Sequence, residues 1–588
     1  MSINSVGTLN NKQKAAAEKI KGTSIILAGA GSGKTRVLVY KVLHLIQKGH
    51  IPPESIVMIT FTNKAASEMK NRIYGLLNDQ RMHLGYVGTF HSFCAHILRR
   101  DGQHIEIENN FVIYDDDDQS SILKTLIKES DRKFTPSYIA NRISAAKNNL
   151  IGPEKYSDLF SDFNASHVGE IYKKYEQRLT KNNALDFDDL LVKTNLLFNT
   201  VPDILKKYQK RHPYILVDEF QDTNIAQYEL TKKLAGASHN LTVVGDFSQS
   251  IYSWRGANIK NLEKIREDFP NVEMFYLDEN YRSTQTILDY AYKVISRNQT
   301  HPILELHTKN KQGEEIQIYE AENEEEEAIF ISDEIEQAKR TRDWADFAVL
   351  YRTNAQSRVI EEAFLRRSIP YVLIGGTRFY DRKEIKDVLS YLRLILNPKD
   401  DVSKERLMKL GKTRWKSFTH SFAELQGCVA LLTTADILEK VLHETGYMDL
   451  YDSKDEEDYM RIENIKELKS VAMNFPVLSQ FLEQVALVES EYFQGEKNKN
   501  KDKDAVRLMT LHQAKGLEFP TVFIVGLEEG ILPHTRSLDD IYAIEEERRL
   551  FYVGITRARA TLYLTFAKRR IIFGRRGEAM QSRFVENT

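Results

Sequence analysis

The run Ala28-Gly29-Ala30-Gly31-Ser32-Gly33-Lys34-Thr35 concentrates small residues, one lysine and two hydroxyls in a single turn. Glycines there let consecutive backbone N–H groups point into the loop. Lys34 can reach the outer phosphates of a nucleotide, and the Thr35 hydroxyl can ligate Mg²⁺. The strict pattern has glycine where this chain has Ala28, and alanine is small enough to keep the loop. A second chemical group follows the apolar run Tyr214-Ile215-Leu216-Val217: Asp218 is placed to hold the metal and Glu219 to orient and deprotonate an attacking water. Gln249, after Gly245-Asp246, is a polar side chain placed to sense the triphosphate. Arg282, in Asn280-Tyr281-Arg282-Ser283-Thr284, and Arg557, in Val553-Gly554-Ile555-Thr556-Arg557-Ala558, each set a guanidinium beside a turn. Aimed at a γ-phosphate, such a group stabilises the charge that develops in hydrolysis. Together these residues predict a site that binds and hydrolyses a nucleoside triphosphate.

Positioning them requires a particular scaffold. Ser24-Ile25-Ile26-Leu27 reads as a buried strand before the cradle, and Arg36 to Leu43 has helical apolar spacing after it. That strand, turn and helix would also give the phosphates a helix N-terminus. Ser55 to Thr62, Gly85 to Phe90 and Leu241 to Asp246 repeat the strand pattern between helices, which predicts a parallel α/β core with ligands at the strand C-terminal ends. Phe61, Thr62, Asn63, Thr89 and His91 gather there. A lone histidine such as His91 is more often structural than catalytic. Interleaved aromatic, hydroxyl and amide groups nevertheless suit a single-stranded nucleic acid, as do Tyr252 and Trp254 beside Arg255, whose other reading is ordinary aromatic packing. Gln13 has two readings: the third-position partner in a capping box with Asn10, or an amide that reads the edge of adenine.

Residues 110–195 read as helical. The acidic run Asp115 to Asp118 complements a helix dipole, and Leu185 to Leu190 is not a metal site on spacing alone. Ser144 to Asn149 lies in the same region. A second α/β unit begins near residue 273, with strands expected at Glu315–Tyr319, Phe347–Tyr351, Tyr371–Ile374, Val506–Leu511, Thr521–Val525 and Thr561–Phe566, and without a second cradle. Glu324 to Glu327 reads as a solvated first helical turn. Residues 380–504 are mostly helical and end in a charged linker, Glu496 to Asp504, so one domain is inserted in another.

The length of 588 residues allows roughly four domains of ordinary size. A net charge of −2 neither selects nor excludes nucleic acid, because binding depends on where charge clusters. Cys94 and Cys428 form no zinc-ligand spacing and no disulfide framework. The N-terminus has no leader-like pattern and no apolar run reaches spanning length, which predicts a soluble cytoplasmic protein with no membrane partner.

In order and over nearly the whole chain, these motifs resemble the superfamily 1 DNA helicases of the UvrD, PcrA and Rep group, and within it the Gram-positive members. The resemblance is carried by Gln13, the cradle, Thr60 to Ala66, Val217 to Thr223, Gly245-Asp246 with Gln249 to Tyr252, Tyr351 to Arg358, Thr510-Leu511-His512 with Lys515 to Phe519, and Tyr552 to Ala558. It implies two RecA-like P-loop NTPase motor domains, each with a mainly helical insertion. Residues 1–108 and 196–276 would form the first motor domain around the insertion 109–195. Residues 277–379 and 505–588 would form the second around a shortened insertion, 380–504. It implies ATP and Mg²⁺ as cofactors. Gln13 would recognise adenine, Tyr281 would stack on it and Glu518 would meet the ribose. Lys34, Thr35, Arg36 and Gln249 would contact phosphates or metal. Asp218 would bind Mg²⁺, Glu219 would be the base, and Arg282 and Arg557 the fingers. Phe61, Phe187, Tyr252, Trp254, Arg255, Asn354 and His512 would line a DNA track, with Phe573 at the tip of a strand-separating hairpin.

The family likeness also implies 3′→5′ movement on single-stranded DNA, single/double-strand junctions as substrates, work in repair or replication restart beside proteins of those processes, and a nucleoid location. Two departures stand out. The family's Gly-Ile-Gly turn that grips the duplex is absent, with Lys409 to Ser417 near its place, and the chain ends soon after Ser582-Arg583-Phe584. The shortened second insertion favours, as a second reading, a single-strand translocase that strips proteins from DNA and unwinds poorly alone. A non-catalytic nucleotide-gated binding module is the contrasting class, and the full set of catalytic residue types argues against it.

Overall fold

The computed structural model describes residues 9–77, 83–129, 134–160, 163–429, 431–486, 504–572 and 575–586. The chain forms two compact units: Met1–Arg282 with Asn298–Asn310, and Ser283–Arg297 with Lys311–Thr588.

Six short apolar runs of the first unit become β1 (Ser24–Ala28), β2 (Ile56–Thr60), β3 (Tyr86–Thr89), β4 (Tyr214–Val217), β5 (Leu241–Gly245) and β6 (Glu273–Leu277). They pair in the order β3-β2-β4-β5-β1-β6, every pair parallel. Strands buried on both faces must be apolar throughout, and the two-residue alternation divides them between two cores. Ile25, Leu27, Val57, Ile59, Ile215 and Val217 face one core, with Phe90 and Ile97 from α4 (Phe90–Asp101) and Leu190 and Leu230 from later helices. Ile26, Ala28, Ile56, Met58 and Leu216 face the other, which is closed by α1 (Asn11–Glu18), α2 (Lys34–Gln47) and α3 (Asn63–Leu77). Glu273–Leu277 therefore closes the edge of the first sheet instead of opening the second unit. Two of its five residues are exposed and one is buried, as suits an edge strand. The first unit also continues past residue 276, because Glu279–Asn280 pairs with His307–Thr308 and Tyr281 N donates to Gly31 O.

Lys41 of α2 is buried, and its ammonium donates to Ala16 O (3.1 Å) and Lys19 O (2.6 Å), closing the C-terminus of α1. Burial pushes Lys41 down to about 7, with Lys19 adding to the shift. Between pH 7 and the ordinary lysine value the folded chain then binds fewer protons than the unfolded one, so this group's contribution to stability rises with pH in that window. Melting curves of wild type and Lys41→Met from pH 6 to pH 10 are expected to diverge in favour of wild type as pH rises. Parallel curves would show that Lys41 titrates normally.

A helical stretch of the first unit follows: α5 (Asp116–Lys128), α6 (Pro136–Asn148), α7 (Pro153–Leu159) and α8 (Ala165–Lys181), leading into α9 (Phe187–Thr200). Leu123, Ile139, Ile143, Tyr156, Val168 and Tyr172 form its own core. Asp115 caps α5 in a capping box with Asp118, the dipole-complementing arrangement its charges predicted.

In the second unit β7 (Gln317–Ala321), β8 (Phe347–Tyr351), β9 (Tyr371–Leu373), β10 (Val506–Thr510), β11 (Phe519–Ile524) and β12 (Ala558–Ala567) pair in the order β7-β12-β11-β8-β10-β9, again all parallel. Helices Lys383–Leu396, Asp401–Met408, Lys412–Cys428, Thr434–Thr445 and Glu456–Asn474 lie between its halves, with a core that includes Tyr391, Leu392, Ile437 and Leu468. The run Glu324 to Glu327 is not wholly solvated: Glu327 is buried, accepts from Thr565 Oγ1 and Gly526 N, and pairs with Arg570 at 2.6 Å. The expected linker lies outside the described residues up to residue 503. Among the described residues no helix is long and apolar enough to cross a membrane.

Candidate functional site

The C-terminal ends of β2, β4, β5 and β1 are consecutive along one edge of the first sheet, which brings Phe61, Asp218-Glu219, Asp246 and the cradle into one row. Ala28 is the last residue of β1, fully buried and paired with Leu277, so a Cβ is accommodated where the strict motif has none. The glycines that follow are needed. A Cβ on Gly29 would fall 2.3 Å from Leu306, and one on Gly31 would fall 2.7 Å from Asn280 Nδ2 and 2.8 Å from Arg282 Cβ. Gly33 adopts φ 84° as the residue that starts α2. Ala30 is held by Asn280, whose Nδ2 donates to Ala30 O (2.7 Å), and Ser32 Oγ donates to Gly29 O (2.7 Å).

Lys34 points across this loop to Glu219, Nζ to Oε2 3.3 Å. Burial alone would lower the lysine, but Glu219, Asp246 and Asp218 outweigh it and hold it above its ordinary value, so it stays an ammonium at neutral pH. Asp218 is buried, and burial together with the adjoining Glu219 pushes it up to about 7. Glu219 has left-handed backbone angles (φ 49°, ψ 40°), uncommon for a residue with a side chain and frequent where function holds the backbone. Gln221 was not singled out by the sequence, yet its Nε2 donates to Glu219 Oε2 (2.5 Å) and its Oε1 accepts from Asp246 N (3.1 Å). Gln249 is buried and donates to Asp246 Oδ2 (2.6 Å), so it reaches the phosphate side of the site through a carboxylate.

Three carboxylates around one lysine leave an excess of negative charge and hard oxygen donors, a set that fits Mg²⁺ with the Thr35 hydroxyl at the start of α2. Among the described residues no three His, Cys, Asp or Glu side chains are grouped to hold a metal by themselves. An ion here would therefore take most of its ligands from phosphates and water, as Mg²⁺ commonly does.

At the outer edge of the cradle Gln13 is buried and takes the capping-box role. The capping box with Asn10 is formed, Asn10 N donating to Gln13 Oε1 (3.1 Å), while Gln13 Nε2 donates to Ser32 O (2.9 Å). Asn10 Nδ2 in turn donates to the Tyr281 hydroxyl (2.8 Å), whose ring is 46% exposed. Arg36 lies over the Tyr40 ring at 5.9 Å, and the Arg282 backbone is fixed by Asn280 Oδ1 (2.8 Å) next to Gly31.

In the second unit Arg557 is buried, and its guanidinium donates to Val553 O (2.9 Å), Leu517 O (3.1 Å) and Thr556 Oγ1 (2.9 Å). Glu518 is exposed, His512 partly buried, and Asn354 accepts at its carbonyl from Arg382 (3.0 Å).

Aromatic groups of the first unit gather beside the same strand ends. Phe61 meets Phe90 edge-on (6.3 Å), and His91 meets Phe187 edge-on (6.1 Å), joining the helix that follows β3 to α9. Burial lowers His91, which is therefore neutral at pH 7. Asn63 is exposed at the start of α3 and Phe187 is half-exposed. Tyr252 and Trp254 are 6.5 Å apart, and Arg255 covers the Trp254 ring at 4.5 Å. Phe573 lies outside the described residues.

The family model "UvrD/REP helicase N-terminal domain" matches residues 9–270, and "UvrD-like helicase C-terminal domain" matches residues 275–431 and 412–569. The chain is similar to the ATP-dependent DNA helicase PcrA of Bacillus subtilis (strain 168), 42% identical over 629 residues that cover 98% of this chain and 85% of that protein. It is also similar to the PcrA proteins of Staphylococcus epidermidis (41% over 635 residues, 99% and 86% covered) and Staphylococcus aureus (40% over 632 residues, 98% and 86% covered). Each match runs over more positions than the 588 residues present here, so these relatives carry internal residues that this chain lacks.

Proposed function

The chain belongs to the UvrD/Rep helicase family, and on that premise we propose that it is an ATP-dependent DNA helicase that moves 3′→5′ on single-stranded DNA and opens duplexes in repair or replication restart. The observation that carries this reading is the row at one sheet edge, where Lys34, Asp218, Glu219 and Gln249 follow the C-terminal ends of strands neighbouring those that lead into Phe61 and His91. Hydrolysis at one end of such a row can alter grip at the other. ATP would lie in the cradle, its phosphates met by the loop N–H groups, Lys34 and Arg36, with Gln13 and Tyr281 at the base. Mg²⁺ held by Thr35 and Asp218 would neutralise charge between the phosphates. Glu219 takes the proton of the attacking water, and Gln221 fixes its carboxylate. Arg282, anchored beside Gly31, stabilises the charge that develops on the γ-phosphate. The roles of Arg557, Glu518, Asn354, His512 and Phe573, like the division into motor domains and insertions, are proposed on the family likeness.

Bases would stack on Phe61, Phe187, Tyr252 and Trp254, while Arg255, Asn63 and His91 supply polar contacts. Stacking on one aromatic residue commonly accounts for about a 10-fold change in affinity. Trp254→Ala is therefore expected to weaken binding of a labelled oligo-dT by about 10-fold at fixed salt. Unaltered anisotropy titrations would remove Trp254 from the track.

The direct test of the function is ATP-driven unwinding of short duplexes with a 3′ or a 5′ single-stranded tail. Strand separation from the 3′ tail alone is expected, and separation from the 5′ tail alone would reverse the assigned polarity. One observation favours a second reading, a translocase that needs help to open duplexes. The C-terminal family model matches in two pieces that overlap at 412–431, within the helical insertion, and the relatives carry internal residues that this chain lacks. Stimulation of ATP turnover by single strands, without unwinding from either tail, would select that reading.

A further inference from the structure

Helix α6 ends at Lys147-Asn148, and these two neighbours face different parts of the first unit. The Lys147 ammonium is fully buried and bonds Glu176 of α8 (2.7 Å), Asp186 (2.7 Å) and Asp189 (2.8 Å). Asp186 and Asp189 form the capping box of α9, so Lys147 fixes the turn from which Phe187, the first residue of that helix, projects. Tyr175 adds a bond to Asp186 (3.1 Å), and Lys193 ties Glu176 from α9 (2.7 Å). Burial would depress Lys147, but the three carboxylates hold it well above the ordinary lysine value.

Asn148 faces the other way. Its Oδ1 accepts from Asn224 Nδ2 at 2.5 Å, and its Cβ lies 3.4 Å from where a side chain on Gly256 would begin, directly after Trp254-Arg255. Asn224 caps the helix Ile225–Ala235 at the end of the stretch that begins with Asp218-Glu219. Asn261 Nδ2 grips the same turn through Thr223 O (2.9 Å), and Asn258 N donates to Thr223 O (2.9 Å). A continuous path thus runs from Phe187 through Asp186, Lys147, Asn148 and Asn224 to Gln221 and Glu219.

We propose that Lys147 and Asn148 are positioning residues that couple occupancy of the aromatic track by single-stranded DNA to the placement of the catalytic Glu219. The proposal rests on the reading of Glu219 as the base and Phe187 as a DNA contact. Displacement of Phe187 by a stacked base would shift the α9 cap, and with it the buried Lys147, whose charge forbids separation from its carboxylates. Asn148 would pass that shift to the turn after Glu219. Neither residue needs to touch nucleotide or DNA.

The test is steady-state ATP hydrolysis by the full chain with and without oligo-dT, together with anisotropy of labelled oligo-dT. Asn148→Ala is expected to reduce the DNA-stimulated increase in kcat about 10-fold, with basal kcat, KM for ATP and oligo-dT affinity unchanged. Asn148→Asp keeps the acceptor for Asn224 and is expected to restore most of the stimulation. Adding Asn148→Ala to Phe187→Ala should lower stimulation no further than Phe187→Ala alone, because both lie on one path. Undiminished stimulation in Asn148→Ala, additive losses in the double variant, or a parallel loss of basal kcat or of oligo-dT affinity would each overturn the proposal. Phe187→Ala with wild-type affinity and stimulation would instead refute the DNA-track reading on which it rests.

Discussion

Glu219→Gln is expected to lower DNA-stimulated ATP turnover by about 1,000-fold, the middle of the range for loss of a general base, with nucleotide affinity retained. The substitution keeps shape and one acceptor oxygen. Gln221 Nε2 can still donate to position 219, and the left-handed turn need not move. What is lost is the ability to take a proton. The negative charge facing Lys34 at 3.3 Å also disappears, which leaves the ammonium to the phosphates and so preserves or tightens binding. Fluorescent-nucleotide titration and phosphate-release assays on the same preparation separate the two quantities. Turnover within about 10-fold of wild type would pass the role of base to another group, since a positioned base commonly supplies more than that.

The parts of this site that are contiguous in the sequence were legible there, because their chemistry depends on local backbone. The cradle declares itself through glycines, a lysine and a hydroxyl between a strand and a helix, and Asp218-Glu219 through its place after four apolar residues. Groups that act by long-range packing were not legible. Gln221 and Asn280 look like unremarkable amides until the fold sets one between Glu219 and Asp246 and the other against Ala30. Glu327 belonged to an acidic run in which Glu325 is exposed, and Thr565, Gly526 and Arg570, far along the chain, make it an interior residue. Lys147 sits in a stretch whose composition is that of an ordinary helix end, and its three carboxylates come from two other helices and the turn between them. The return of residues 298–310 to the first unit likewise leaves no local signature, because it depends on the pairing of His307–Thr308 with Glu279–Asn280.

Lys34→Met should separate binding from chemistry in the opposite sense. Lys34 is the cation toward which Asp218, Glu219 and Asp246 all direct their charge, and methionine keeps its apolar stem while removing that charge. Incoming phosphates would then meet three carboxylates without the compensating ammonium, so ground-state affinity falls together with transition-state stabilisation. A reduction of about 1,000-fold or more in kcat/KM for ATP is expected, with the larger part in KM, because the lost interaction is electrostatic and acts in a partly buried site. Oligo-dT binding without nucleotide should stay near wild type, since Phe61, His91, Phe187 and Trp254 are fixed by contacts that do not include Lys34. Measuring both on one preparation distinguishes an emptied phosphate site from a damaged fold. Loss of oligo-dT affinity in parallel with ATP affinity would mean that Lys34 organises the strand ends as a whole, whereas retention of wild-type KM would remove it from the nucleotide site.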